Sequence, residues 1–176
     1  MYKGRMIEIV EQPMKIGEKE IVFESGRRAP GVRLIVLLPE NKILLTKEYR
    51  TYLKGYDFRL PGGKVMDSLE EYNTFLASGD DMKEKAREAA IKEAREEVGL
   101  IVDDLELFAI SKCGASVEWD LYYFVVKSFT QCEQALEHGE DITPAPTSPD
   151  EVKTMCLDGR IQEDRSALML LRFLNK

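Results

Sequence analysis

Three glutamates in residues 92–100, KEAREEVGL, have the spacing that most favours chemistry. On a helix, Glu93, Glu96 and Glu97 fall within roughly one 100° arc of the surface. Like charges one turn apart, and acids near the C-terminal end of the helix dipole, each cost about 0.2–1 kcal/mol. Such penalties are typical of functional sites, and clustered carboxylate oxygens suit a hard cation such as Mg²⁺. The alternative is a solvated acidic face in a glutamate-rich protein.

The elements that position these acids are a helix and the strands around it. The helix is predicted over residues 85–98 and ends at Gly99. Its neighbouring arc is apolar and is expected to pack on a sheet: Ala90, Ile91, Ala94 and Val98. Strands are predicted twice within the first thirty residues and then at 31–38, 43–49, 57–60, 105–110 and 121–129. Residues 66–83 are expected to form a surface insertion with a helical turn at 69–76. Residues 130–149 are expected to form a long acidic loop, and two short helices follow it. This order predicts an α/β layered domain.

Composition limits the class of protein. The chain has 176 residues, 44% of them hydrophobic, which suffices for one compact domain. Its net charge of −7 argues against a nucleic-acid binder and implies that an anionic ligand needs a recruited cation. No membrane span is expected, since no apolar run approaches about 20 residues. No signal peptide is expected either, since the N-terminus, MYKGRMIEIVEQ, lacks the apolar core of one. Three cysteines without a CxxC pair indicate a reducing, cytoplasmic compartment.

A family resemblance follows from the glutamate segment. The Nudix box has the pattern G-x5-E-x7-R-E-U-x-E-E-x-G-U, where U is aliphatic. This chain resembles it in Gly63 and, further along, in Glu84-x7-Lys92-Glu93-Ala94-Arg95-Glu96-Glu97-Val98-Gly99-Leu100. Leu60-Pro61-Gly62-Gly63 resembles the segment that usually leads into the box. Two departures stand out. Twenty residues separate Gly63 from Glu84 where the pattern has five, and Lys92 replaces an arginine, which loses bidentate geometry.

The resemblance implies a fold and an assembly. The expected fold is a Nudix-type α/β/α sandwich with a mixed central sheet in residues 31–176, preceded by a short N-terminal β segment in residues 1–30. Segments outside the box, Lys47-Glu48-Tyr49-Arg50 and Asp158-Gly159-Arg160-Ile161 among them, are similar to the ADP-ribose and nucleotide-sugar pyrophosphatase branch. Members of that branch are commonly homodimers that exchange the N-terminal segment, so a homodimer is expected.

The resemblance also implies a metal site and a base. The implied ligands of Mg²⁺, or alternatively Mn²⁺, are Glu93, Glu96, Glu97 and the backbone carbonyl of Gly62. The implied general base is a glutamate on the loop after the last core strand. Glu140 is the first choice and Glu137 the second, so the predicted catalytic residues are Glu97, Glu140 and Glu137.

Substrate contacts are predicted with their ordinary alternatives. Arg50 and Arg59 could clamp a phosphate with a planar fork, although surface ion pairing is the commoner role of arginine. Trp119 could stack on a base, whereas a place in the core or at a dimer interface is the more frequent fate of such an aromatic. His138 is interpreted as a polar loop residue, since a ligand contact is the less common role.

The resemblance and the charges together imply an activity. The expected reaction is Mg²⁺-dependent hydrolysis of the diphosphate bond of a nucleoside diphosphate sugar or ADP-ribose, giving a nucleoside monophosphate and a sugar phosphate. The expected partner is this small molecule, with neither nucleic acid nor membrane. One alternative is a hydrolase of triphosphates or dinucleoside polyphosphates. Another is a noncatalytic nucleotide sensor, which the intact set of three glutamates disfavours.

Overall fold

The computed structural model describes residues 2–51 and 53–176, in which nine strands, four α-helices and one 3-10 turn are formed. In chain order these elements are β1 (Glu8–Ile16), β2 (Lys19–Arg27), β3 (Gly31–Leu38), the 3-10 turn (Pro39–Asn41), β4 (Lys42–Arg50), β5 (Gly55–Arg59), α1 (Leu69–Ser78), α2 (Met82–Val98), β6 (Leu100–Ser111), β7 (Val117–Glu118), β8 (Leu121–Gln131), β9 (Ile142–Thr147), α3 (Pro149–Asp158) and α4 (Asp164–Leu174). Within the described ranges no helix has the length and apolar character needed to cross a membrane.

A mixed central sheet forms the middle layer, with strand order β5-β4-β3-β8-β6 and β9 paired to β4. Strands β3 and β8 run parallel, and the other pairs are antiparallel. Alternate residues of β8 enter opposite cores: Tyr122 and Phe124 pack with α2, whereas Tyr123 and Val125 pack with α3 and α4. Helices therefore cover both faces, which confirms the predicted α/β/α sandwich.

The N-terminal segment is a long hairpin. Glu8 pairs with Arg27 and Ile16 with Lys19 across β1 and β2, and the short strand β7 adds to β2 in parallel. The two strands predicted here are confirmed, although each is nine residues long rather than short. Several large apolar side chains of the hairpin are exposed: Met14, Ile16, Ile21, Val22 and Phe23.

The insertion at residues 66–83 is more ordered than expected. It contains α1, which begins after Ser68, whose hydroxyl accepts a hydrogen bond from the Glu71 N–H at 3.2 Å. The helical turn expected at 69–76 is confirmed as part of α1. Met66 and Leu69 are buried in the core, so the expectation of a surface insertion is wrong for these two residues. Asn73 of α1 also accepts a hydrogen bond from Arg27 at 3.1 Å, which ties the helix to the N-terminal hairpin.

Strand β9 lies inside the stretch predicted to be one long loop. It pairs antiparallel with β4 from Ile43↔Thr147 to Glu48↔Ile142, so the loop expectation is wrong for residues 142–147. Its prolines, Pro144 and Pro146, stand at alternate positions. Their missing N–H groups therefore fall on one edge of the strand, and the residues between them can supply the hydrogen bonds to β4.

Helix α2 is set by its ends and by small residues. The Asp81 carboxylate accepts a hydrogen bond from the Lys83 N–H at 2.9 Å, and Gly99 ends the helix with a φ of +64°. Ala86, Ala90 and Ala94 are buried against the sheet, so the predicted helix and its end are confirmed. The prediction for Ile91 is wrong: it is exposed, because one residue's rotation of about 100° turns it away from the alanine line.

A buried ion pair joins α4 to the central sheet. Arg33, in the middle of β3, donates two hydrogen bonds to Glu163, just before α4, at 2.9 and 2.8 Å. Burial alone would raise the pKa of Glu163, but the hydrogen bonds and charge of Arg33 outweigh it and lower that pKa to about 2. The carboxylate is therefore held ionised.

This pair predicts a specific loss of stability in acid. The pKa of Glu163 is lower in the folded state than the ordinary 4.5, so its contribution is complete above about pH 4.5 and is lost as the pH falls toward 2. The shift corresponds to about 3 kcal/mol. Urea unfolding at pH 5 to 2 should show a smaller pH dependence for Glu163→Gln than for the wild type. Glu88→Gln, at an exposed pair with Lys85, should leave the slope unchanged; equal slopes for wild type and Glu163→Gln would contradict the assignment.

Candidate active site

One cavity of about 390 Å³ brings the predicted site residues together. Its lining includes every one of them: Arg50, Arg59, Gly62, Glu93, Glu96, Glu97, Trp119, Glu137 and Glu140. His138 is exposed and outside the lining, and Glu84 is exposed in the first turn of α2. Asp67 of the insertion reaches the cavity, whereas α1 supplies none of its described lining residues.

Among the three predicted metal ligands on α2, Glu93, Glu96 and Glu97, the most buried is Glu97. It lies seven residues after Ala90, nearly two full turns, so it continues the line of buried alanines and is only 8% exposed. Its Oε2 accepts a hydrogen bond from the Gly62 N–H at 2.6 Å. The loop after β5 and the end of α2 are thus in direct contact.

Two glycines make this close approach possible. Gly62 has a φ of +140°, and a Cβ there would lie 2.2 Å from the carbonyl oxygen of Val32. A Cβ on Gly63 would lie 2.1 Å from Oε1 of Glu93. The Gly62-Gly63 pair is therefore required by contacts with β3 on one side and with the α2 acids on the other.

Gly62→Ala should be strongly destabilising, because the new methyl group would meet backbone that cannot yield easily. We expect a loss of about 3 kcal/mol or more in the free energy of unfolding, measured in urea. Gly79→Ala is the matched control: φ there is +77° but nothing lies within 4 Å of the new Cβ, so only about 1–2 kcal/mol is expected. Equal losses for the two variants would show that the contact with Val32 does not constrain the loop.

The crowded acids repel one another. Burial raises the pKa of Glu97 to about 8; the Gly62 N–H opposes this rise, whereas the charge of Glu93 adds to it. Burial likewise raises the pKa of Glu93 to about 7; Lys92 opposes the rise and Glu96 adds to it. Too little positive charge therefore lies near Glu93 and Glu97 to offset the burial of their carboxylates.

The donor chemistry of this cavity fits a hard divalent cation. The side chains of Glu93, Glu96 and Glu97 offer only oxygen donors, and Gly62 lines the same cavity. In the conformation described for residues 2–51 and 53–176, no three Asp, Glu, His or Cys side chains already surround one point. The fit rests on the oxygen donors and on the burial that raises the pKa of Glu93 and of Glu97. Mg²⁺ completes such partial sets with water and phosphate oxygens.

Arginines lie in the same cavity, each beside an acid. Arg50 lies 2.5 Å from Glu48, and Arg59 donates to Asp57 at 2.7 Å. Among the described residues, the buried Nε of Arg50 has no hydrogen-bond partner. Ion pairing, the commoner role of arginine, is thus observed for both, and both still face the cavity.

Trp119 is partly buried and has cationic neighbours. The guanidinium carbons of Arg28 and Arg165 each lie 4.4 Å from its ring centroid. The ring also packs against the core cluster on the α3 and α4 side of the sheet. It is therefore a packing residue that borders the cavity, and two cation–π contacts hold it there.

Lys92 of α2 lies near an acid of the loop after β8. The Lys92 ammonium lies 3.2 Å from Glu96 and 4.0 Å from Glu137. The Glu137 N–H donates to Oε2 of Glu140 at 2.9 Å, so the two loop acids are also joined. Lysine at this position bridges helix and loop as a point charge, without the fork of an arginine.

Seven further charged residues of the lining were not predicted as site residues: Arg28, Arg33, Glu48, Lys64, Asp67, Lys92 and Glu163. For Arg33 a signal existed, because an arginine inside a strand expected to be buried on both faces must have a partner. Glu163 carried no local signal, since its partner is 130 residues away in sequence.

Comparisons with known proteins agree with this architecture. A solved structure described as an ADP compounds hydrolase superposes with a TM-score of 0.71, covering 99% of this chain and 86% of that chain at 17% identity, which shows the shared fold. A protein named Methanol dehydrogenase activator, from Bacillus methanolicus, is 25% identical over 172 residues, 96% of this chain and 85% of that protein. The family model of the NUDIX domain matches residues 27–159. This match and the shared fold support a pyrophosphohydrolase enzyme, and the chain belongs to the NUDIX domain family.

Proposed function

We propose that this protein hydrolyses the diphosphate bond of a nucleoside diphosphate sugar or ADP-ribose, releasing a nucleoside monophosphate and a sugar phosphate. The observation that carries the proposal is the convergence of Glu93, Glu96 and Glu97 on one cavity that also contains arginines. The name of the structural neighbour, an ADP compounds hydrolase, supports a substrate of this class.

Glu93, Glu96, Glu97 and the Gly62 carbonyl would hold Mg²⁺ or Mn²⁺. Such a cation neutralises phosphate charge and makes a bound water more acidic. Arg28, Arg50, Arg59 and Lys64 would balance the charge of the phosphates and of the leaving group.

A loop carboxylate would take the proton of the attacking water, and the phosphoanhydride P–O bond would break. Glu140 is the proposed base because it lines the cavity and is held by the Glu137 N–H. Glu137, which lines the same cavity, is the second choice.

A homodimer and a cytoplasmic location belong to the same proposal. The apolar side chains exposed on β1 and β2 offer a surface for exchange of residues 1–30 between two copies. All three cysteines are free thiols, as a reducing compartment would require.

The test is a substrate panel with the purified full chain. ADP-ribose, nucleotide sugars, nucleoside triphosphates and dinucleoside polyphosphates are incubated with Mg²⁺, with Mn²⁺ or with chelator, and the products are separated by chromatography. We expect cation-dependent release of a nucleoside monophosphate and a sugar phosphate, fastest for ADP-ribose or a nucleotide sugar. Faster turnover of triphosphates would assign the other hydrolase class, and no turnover with any cation would overturn the proposal.

The Bacillus methanolicus relative favours a second candidate function, in which this protein raises the activity of a methanol dehydrogenase. Assaying such a dehydrogenase with wild-type protein and with Glu97→Gln separates the two roles. Activation by the wild type alone would link activation to hydrolysis, whereas equal activation by both would indicate action through binding.

A further inference from the structure

Arg33 is a buried cation in the wall of the candidate site. Only 7% of it is exposed, and its Nε and one terminal nitrogen are both bound by Glu163. Glu163 is itself fixed by a hydrogen bond from Ser166, which also contacts the Tyr123 hydroxyl at 3.3 Å. The guanidinium is therefore held in one orientation from the α4 side.

The other terminal nitrogen of Arg33 contacts the backbone that supports Gly62. It donates to the carbonyl oxygen of Val32 at 2.8 Å. This is the oxygen that a Cβ on Gly62 would meet at 2.2 Å, so the Gly62 backbone rests against it. Gly62 in turn donates its N–H to Glu97 at 2.6 Å.

The loop is joined to β3 on both sides of Arg33. The Val32 N–H donates to the Gly63 carbonyl at 2.9 Å, and the Leu34 N–H donates to the Pro61 carbonyl at 2.8 Å. A small movement of β3 at Arg33 would therefore be transmitted to Gly62 and to the carboxylate that it holds.

Stability alone does not account for this arrangement. A buried ion pair can often be replaced by apolar side chains at no cost in stability, because desolvation cancels much of the attraction. What apolar side chains cannot replace is the hydrogen bond from Arg33 to the Val32 carbonyl.

We propose that Arg33 and Glu163 are positioning residues, which hold the Val32 carbonyl so that Gly62 meets the Glu97 carboxylate in one geometry. The catalytic part of this inference rests on the proposed hydrolase function, whereas the geometric part does not.

The test uses the double variant Arg33→Met/Glu163→Leu, which removes the pair without leaving a buried charge, together with Glu163→Gln. The control is Glu8→Gln, which breaks the half-buried Glu8–Arg27 ion pair of the hairpin. NMR of the free protein reports the Gly62 amide proton, which a short bond to a carboxylate shifts downfield. Steady-state kinetics report kcat and KM.

We expect the double variant to unfold at the wild-type urea concentration or above. Its Gly62 amide should move upfield and exchange about tenfold faster with solvent, and kcat should fall about 10- to 100-fold at unchanged KM. Glu8→Gln should leave the Gly62 amide and kcat at their wild-type values, whereas Glu163→Gln should change both or, if too unstable, be replaced by Arg33→Lys. A wild-type Gly62 signal in the folded double variant would overturn the inference. An inactive wild type with the expected NMR shifts would instead refute only the hydrolase proposal.

Discussion

Glu97→Gln is expected to lower turnover by about three orders of magnitude while the protein stays folded. Glu97 is the most buried of the three α2 acids and is held by the Gly62 N–H, and glutamine keeps its shape but not its charge. A cation that loses this ligand would stabilise the transition state less, and about 4 kcal/mol corresponds to a roughly thousandfold change. The measurement is kcat with ADP-ribose or the best nucleotide sugar of the panel, at saturating Mg²⁺.

Glu88→Gln is the matched control, because Glu88 is an exposed acid of the same helix whose partner is Lys85 at 3.4 Å. It should retain wild-type turnover. Thermal unfolding adds a second readout: Mg²⁺ should raise the midpoint of the wild type more than that of Glu97→Gln, since a ligand stabilises only the state that binds it. Near-normal kcat for Glu97→Gln would remove the α2 acids from the mechanism.

Glu140→Gln is expected to lower kcat by roughly 10²–10⁴ with little change in KM, as loss of a general base does. Glutamine can still accept the hydrogen bond from the Glu137 N–H, so the loop geometry should survive. The measurement is steady-state kinetics at the pH optimum of the wild type, with circular dichroism to verify folding.

Glu137→Gln is the companion variant, since Glu137 lies three residues away on the same loop and faces the same cavity. We expect less than about a tenfold change in kcat, because this exposed acid has only a 4.0 Å contact with Lys92. A reversed order of effects would make Glu137 the base. Wild-type rates for both variants would move the role off this loop, with Glu48 the next acid of the cavity to replace.

The site combines acidic and basic groups that are far apart in the sequence, so only the structure shows that they share one cavity. The acids proposed for the cation and the base come from one helix and one loop, whereas the arginines proposed for the phosphates come from the ends of β4 and β5 and from the segment before β3. An anionic substrate in an acidic protein requires both sets: a cation to be held by the acids and arginines to balance the phosphate charge. This division of charge is the feature that most directly connects the fold to a diphosphate substrate.

Local sequence was sufficient for the elements that carry the acids. Asp81, the alanine spacing and Gly99 define α2 through capping and a 3.6-residue period, which neighbours along the chain determine. The apolar run 31–38 likewise identified β3 as a strand covered on both faces. The resemblance to the Nudix box, rather than these local patterns, assigned the three glutamates and Gly62 to one site.

Only the tertiary structure decided what those elements meet. The contact between Arg33 and Glu163, the pairing of β9 with β4 and the two arginines at Trp119 each join residues far apart in the chain. Helical and strand periods describe which side of an element is buried but not its partner, because the order of strands in the sheet determines partners. For the same reason the burial of Met66 and Leu69 in the insertion, and the length of β9 despite two prolines, follow from packing rather than from local preference.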